Sequence, residues 1–101
     1  MSVTWYDEAD MTLTSIAKRL GTPPRTLERE GLRAYLERRL RTTEAALAAL
    51  AARYGVRSLT AFDREIRSGR IRETDEARED LFEYDALTAE HRLLRSLLRS
   101  V

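Results

Sequence analysis

Eight cations crowd into residues 18–41: Lys18, Arg19, Arg25, Arg29, Arg33, Arg38, Arg39 and Arg41, against Glu28, Glu30 and Glu37. A local surplus of this size can track the phosphates of a nucleic acid. The same residues also suit a solvated helix face laced with Glu–Arg pairs. Other chemistry is sparse. The chain has one histidine and no cysteine, which removes thiolate nucleophiles, thiolate metal sites and disulfides together. His91 falls on an apolar stripe, where a packed imidazole is the expectation. The acids Glu73, Asp75, Glu76, Glu79, Asp80, Glu83 and Asp85 have the hard oxygens that a divalent cation takes. An acidic start to a helix, favoured by the macrodipole, accounts for them without a metal. There is no glycine-rich phosphate loop and no familiar metal-ligand spacing. The expectation is a protein that binds macromolecules: no enzyme, no metal, no cofactor and no small-molecule substrate.

The elements that position these residues must come from 101 residues, one domain's worth with little core to spare, so a homodimer is expected. Net charge is +1 but uneven, with ten Lys/Arg against seven Asp/Glu in residues 1–57 and eight against ten in residues 58–101. No run of 18 apolar residues is present, and residues 1–10 are acidic where a signal peptide would be basic and then greasy. A soluble, cytoplasmic protein with no membrane partner is expected.

The pattern predicts a mainly α fold. Ser2, Val3, Thr4, Trp5 and Tyr6 read as a short strand, which with no second strand in the chain would pair across a dimer. Ala9, Leu13, Ile16, Ala17 and Leu20 then recur at helical spacing up to Gly21, predicting a helix over about 9–20 that Thr12 and Thr14 weaken. Thr22, Pro23 and Pro24 restart the chain, with Thr22 able to cap and a proline tolerated in the first turn. No breaker follows until Gly55, which predicts a helix over 24–54, a rod of roughly 45 Å. Leu36, Leu40, Thr43, Leu47, Leu50 and Tyr54 form a coiled-coil-like seam along it, to be covered by another helix. Gly31, costly inside a helix, suggests that another backbone crosses closely there. Ser58 caps a helix over about 59–68, and Thr74 or Asp75 opens a last helix over about 75–100. Its stripe is Ala77, Leu81, Tyr84, Leu87, His91, Leu94, Leu98 and Val101, expected to fold back along the long helix or along a second copy of it. Residues 1–41 read as one module, and residues 42–101 as a helical extension for oligomerisation or partner binding.

The run Arg29, Glu30, Gly31, Leu32, Arg33, Ala34, Tyr35, Leu36, preceded by a glycine turn and a short strand, resembles the ribbon-helix-helix family of repressors and antitoxins. That resemblance implies two strands pairing across a dimer and entering the major groove, with Thr4 and Tyr6 toward the bases. It also implies a phosphate held at the start of the second helix by its amides with Thr22 and Arg25, and so makes residues 1–41 a dimerisation and DNA-binding module. The ribbon carries no Lys or Arg, and Asp7, Glu8 and Asp10 stand beside it. The same residues support a helix-turn-helix, because Ala17 and Gly21 fall where that motif wants a small residue and a turn glycine. Arg25, Thr26 and Arg29 would then read the groove, and Met11 would serve as a second start. A purely structural helix pair is the third alternative.

Residues 53–87 look like small prokaryotic proteins of antitoxin-like layout. Phe82 and Tyr84 point to different sides of one helix, so at least one lies off the main stripe and is a candidate anchor for a partner, or else completes the core. The functional expectation is an antitoxin-type DNA-binding autorepressor that binds operator DNA and neutralises a toxin through its C-terminal helices. The alternative is a helical dimer without DNA binding that serves as a structural or adaptor protein, with Gly31, Leu36, Leu40, Leu47, Leu50 and Tyr54 as its seam.

Overall fold

The computed structural model describes residues 12–101. Four helices occur among the described residues: α1 (Leu13–Leu20), α2 (Pro24–Tyr54), α3 (Leu59–Arg67) and α4 (Asp75–Ser100). There is no strand among them, which corrects the expected strand-then-helices class to an all-helical one. The strand expected over residues 2–6 and the helix start expected at Ala9 lie outside the described residues. Thr12, read above as an internal residue of a helix, is instead the N-cap of α1: its extended backbone (φ −79°, ψ 168°) lets its side chain accept from the Ser15 amide at 3.5 Å. A short hydroxyl side chain competes for backbone donors, which is why threonine does better at a helix start than inside one.

The chain divides into two compact units, one reaching Tyr35 and including Val101, the other spanning residues 36–100. The division falls inside α2 and not at a loop. In the first unit, α1 buries Ala17 completely and ends at Gly21, whose φ of 70° lets its amide reach the Ala17 and Lys18 carbonyls. In this unit Arg33 also donates to the Val101 carbonyl.

In the second unit α2 and α4 run antiparallel, since Thr43 meets Glu90, Glu44 meets His91 and Arg53 meets Asp80. The seam expected on α2 is laid against α4 of the same chain: Leu47, Leu50 and Tyr54 enter one core with Leu81, Tyr84 and Leu87. Val56 and Phe62 close its lower end, and Phe62, fully buried, lies with its ring 4.5 Å from that of Tyr54 and 5.8 Å, edge-on, from that of Tyr84. Offset and edge-on contacts are the favoured geometries between rings. The connections follow the capping logic: Gly55 (φ 66°) ends α2, Ser58 Oγ accepts from the Ala61 amide at 3.0 Å, and Thr74 Oγ1 accepts from the Ala77 amide at 3.0 Å.

Thr43 is the one buried polar residue among the described residues, and its hydroxyl donates to Glu90 at 2.6 Å. Arg39 reaches the same carboxylate at 3.2 Å. The Thr43 hydrogen bond first, and the Arg39 guanidinium second, hold the Glu90 carboxyl below its ordinary value of 4.5. A carboxylate with a depressed folded-state value contributes stability that is fully present above the ordinary value and is lost as pH falls through the folded one. Thermal melts of the wild type and of Glu90→Gln, compared from neutral pH down to about 3, should therefore converge on acidification. A gap that stays constant with pH would show that Glu90 stabilises without titrating.

Gly31 lies inside α2 with no positive φ, and a Cβ built there meets nothing within 4 Å. The close backbone crossing suggested by the glycine does not occur among the described residues. Gly31→Ala should then raise stability by about 1 kcal/mol through helix propensity alone, read as a higher urea midpoint. A lower midpoint would reveal a close approach that arises only on association.

Candidate macromolecule-binding surfaces

The turn between α1 and α2 decides which donors face an anion. Gly21 and Thr22 turn their amides back onto α1, the latter onto the Ala17 carbonyl at 2.9 Å. Pro23 and Pro24 have no N–H, and the Pro23 carbonyl takes the Leu27 amide at 3.0 Å. The first turn of α2 therefore offers the amides of Arg25 and Thr26, the two residues after the prolines. Of the residues expected to contact DNA, Arg25 and Arg29 are exposed one turn apart on α2, while Thr22 and Thr26 are half-buried and Thr22 has its amide engaged. Thr4 and Tyr6 lie outside the described residues.

Lys18 and Arg19 occupy the last turn of α1, and α2 has no acid in its first turn. Lys18, Arg19, Arg25 and Arg29 are exposed and form no ion pair with a described residue. In the second unit Arg57, Arg64, Arg72, Arg92, Arg95 and Arg99 likewise form no ion pair with a described residue, while other arginines do. There Arg53 pairs with Asp80 at 2.9 Å, Arg67 with Asp63 at 3.0 Å, Arg70 with Glu65 at 3.6 Å and Arg78 with Asp75 at 2.6 Å. Of the acids read as a conceivable cation site, Glu73, Asp75, Glu76 and Asp80 are engaged in ion pairs, and no group of three potential ligands gathers among the described residues.

The first unit also carries an open apolar cleft of about 410 Å³ between Leu13, Ile16, Leu27, Gly31 and Leu32, with Glu28 at its edge. Leu20 and Tyr35 stand exposed in the same unit.

Of the seam residues, Leu36 and Leu40 are half-buried, Leu47, Leu50 and Tyr54 are in the core, and Gly31 is exposed. Burial pushes the Tyr54 phenol up, aided by its hydrogen bond to Asp80. Of the two aromatics expected to anchor a partner, Tyr84 is only 5% exposed and belongs to the core. Phe82 is 72% exposed and borders a cleft of about 310 Å³ with Leu59, Leu81, Asp63 and Asp85. His91 is half-buried, with Nε2 2.9 Å from Glu44. Glu90 escaped the sequence reading. Its signal was Thr43, a hydroxyl in a leucine seam, which needs an acceptor from whatever covers it.

Among the described residues no helix is long and apolar enough to cross a membrane. No curated protein and no solved structure matches the chain. A family model does match, over residues 11–101, and so takes in all four helices and both units: the chain belongs to the Uncharacterized protein MJ0235 family.

Proposed function

We propose that this chain is a DNA-binding regulator of antitoxin type, which holds operator DNA through the turn between α1 and α2 and engages a basic toxin with its acidic C-terminal helices. The observation that carries the reading is the placing of Arg25 and Arg29 in the opening turns of α2, with no acid in the first turn and no ion-pair partner among the described residues. A helix start is already electropositive, so cations there are unfavourable unless an anion joins them. With Lys18 and Arg19 at the end of α1, the turn becomes a phosphate-seeking surface. The side facing a basic toxin would be that of Glu79 and Glu83, both exposed and one turn apart on α4.

A second reading, a helical assembly protein that ignores DNA, is favoured by the exposed Leu13, Leu20, Leu32 and Tyr35 of the first unit. Titrating a duplex from the protein's own promoter at several salt concentrations separates the two. On the DNA reading the duplex binds in preference to random sequence, and log K falls steeply with log salt. Replacing Arg25 and Arg29 together by alanine should reduce that slope by about 2, one for each phosphate contact, with helicity unchanged. Equal affinity for random DNA, or an unaltered slope, would sink the DNA reading and leave the assembly reading standing.

A further inference from the structure

The face of α4 turned away from its own core carries a second apolar stripe. Phe82, Ala86, Ala89, Leu93 and Leu97 succeed one another at spacings of four, three, four and four, one side of a helix. All five are exposed, Phe82 by 72%, Leu93 by 57% and Leu97 by 41%. Ala77, Tyr84 and Leu94, the residues of α4 that are buried, occupy the opposite side. A helix apolar on both sides has a use for two neighbours, and α2 supplies one of them.

We propose that the second neighbour is α4 of another copy of this chain, lying antiparallel across a two-fold axis near Ala89. The inference goes beyond the DNA reading and holds whether or not DNA is bound. Charge fixes the direction. Residues 75–85 hold Asp75, Glu76, Glu79, Asp80, Glu83 and Asp85 against Arg78, while residues 91–100 hold Arg92, Arg95 and Arg99 with no acid. Parallel pairing would set like on like; antiparallel pairing sets the acidic half of each helix against the basic half of the other.

Side-chain size fixes the register. Phe82 and Leu97 lie equally far from the middle of the stripe, as do Ala86 and Leu93. A two-fold axis there makes Leu93 of one copy face Ala86 of the other, and Phe82 face Leu97, so large meets small beside the axis and the two alanines at position 89 let the helices approach at its centre. Asp85 and Arg92 border the same cleft beside the stripe, and this pairing brings each to its opposite in the other copy, twice. The self-complementary contact closes on itself and gives a dimer instead of a filament.

The absence of cysteine makes the register directly testable. In sedimentation equilibrium the full chain should give twice its 11.7 kDa, and Leu93→Asp, a change at an exposed position, should give the single mass with an unchanged helical circular dichroism spectrum. Under mild oxidation a mixture of Ala86→Cys and Leu93→Cys chains should cross-link into mixed dimers, whereas neither variant alone should, because a disulfide needs Cα atoms within about 7 Å. A monomer at every concentration, or a dimer that survives Leu93→Asp, overturns the proposal. So does self-linking of Ala86→Cys alone, the mark of a parallel pair. Should Leu93→Asp lose helicity, Leu97→Glu repeats the test at the end of the stripe.

Discussion

A helix of 31 residues with an apolar seam at alternating spacings of four and three cannot stay uncovered in water, and the second unit is the answer to that constraint. Leu47, Leu50 and Tyr54 need a cover that runs antiparallel and begins near the end of α2, and α4 provides one. The length of the connection follows. Between Tyr54 and Asp75 the chain must reverse and also close the end of the helix pair, and α3 does both by inserting Phe62 between Tyr54 and Tyr84. With Phe62 fully buried, the lower end of the seam is sealed by an aromatic cluster and not by leucines alone.

Leucines fix that α2 and α4 pair, but they discriminate poorly between registers one turn apart. Polar contacts make the choice. A slide of α4 by one turn would carry Glu90 away from the Thr43 hydroxyl, which is 1% exposed and would be left without an acceptor. The same slide would part Asp80 from both Arg53 and Tyr54. Exposed ion pairs of the kind that Arg67 and Arg78 make contribute little by comparison. In the described residues no buried polar side-chain atom lacks a partner, so the register is satisfied as well as specified.

The helix-forming part of this plan was legible, because its signals are local. The bounds of α2 are set by a proline and a glycine and coincide with those read from the pattern, and Ser58 and Thr74 cap where hydroxyls before apolar runs predict. The stripe of α4 from Ala77 to Leu98 is the face that is buried or half-buried. What local signals do not carry is which copy of a helix covers a seam, and so Leu47, Leu50 and Tyr54 read equally well as a dimer contact. Periodicity does separate the two aromatics, since the stripe contains Tyr84 and not Phe82, and Tyr84 is buried against Phe62 while Phe82 is exposed. The strand expectation rested on Ser2 and four β-branched or aromatic residues, Val3, Thr4, Trp5 and Tyr6, all outside the described part of the chain. The Arg29 to Leu36 run that pointed toward a ribbon-helix-helix specifies a helix and nothing about what precedes it.

The two ends of the chain treat the helix dipole in opposite ways. α4 opens on Asp75 and Glu76 and carries Arg99 in its last turn, the arrangement that stabilises a helix by itself. α2 opens on two prolines and Arg25, which remove amide donors and add a positive charge to an end that is already positive. Each such mismatch costs an isolated helix roughly 0.3–1 kcal/mol, and Asp or Glu at position 25 would remove it. A chain that applies the favourable rule at α4 and breaks it at α2 concentrates its violation at one turn. Local rules broken without compensation among the described residues are the expected sign of a surface that is completed by another group. An anion supplied there would relieve the helix end and Arg25 together.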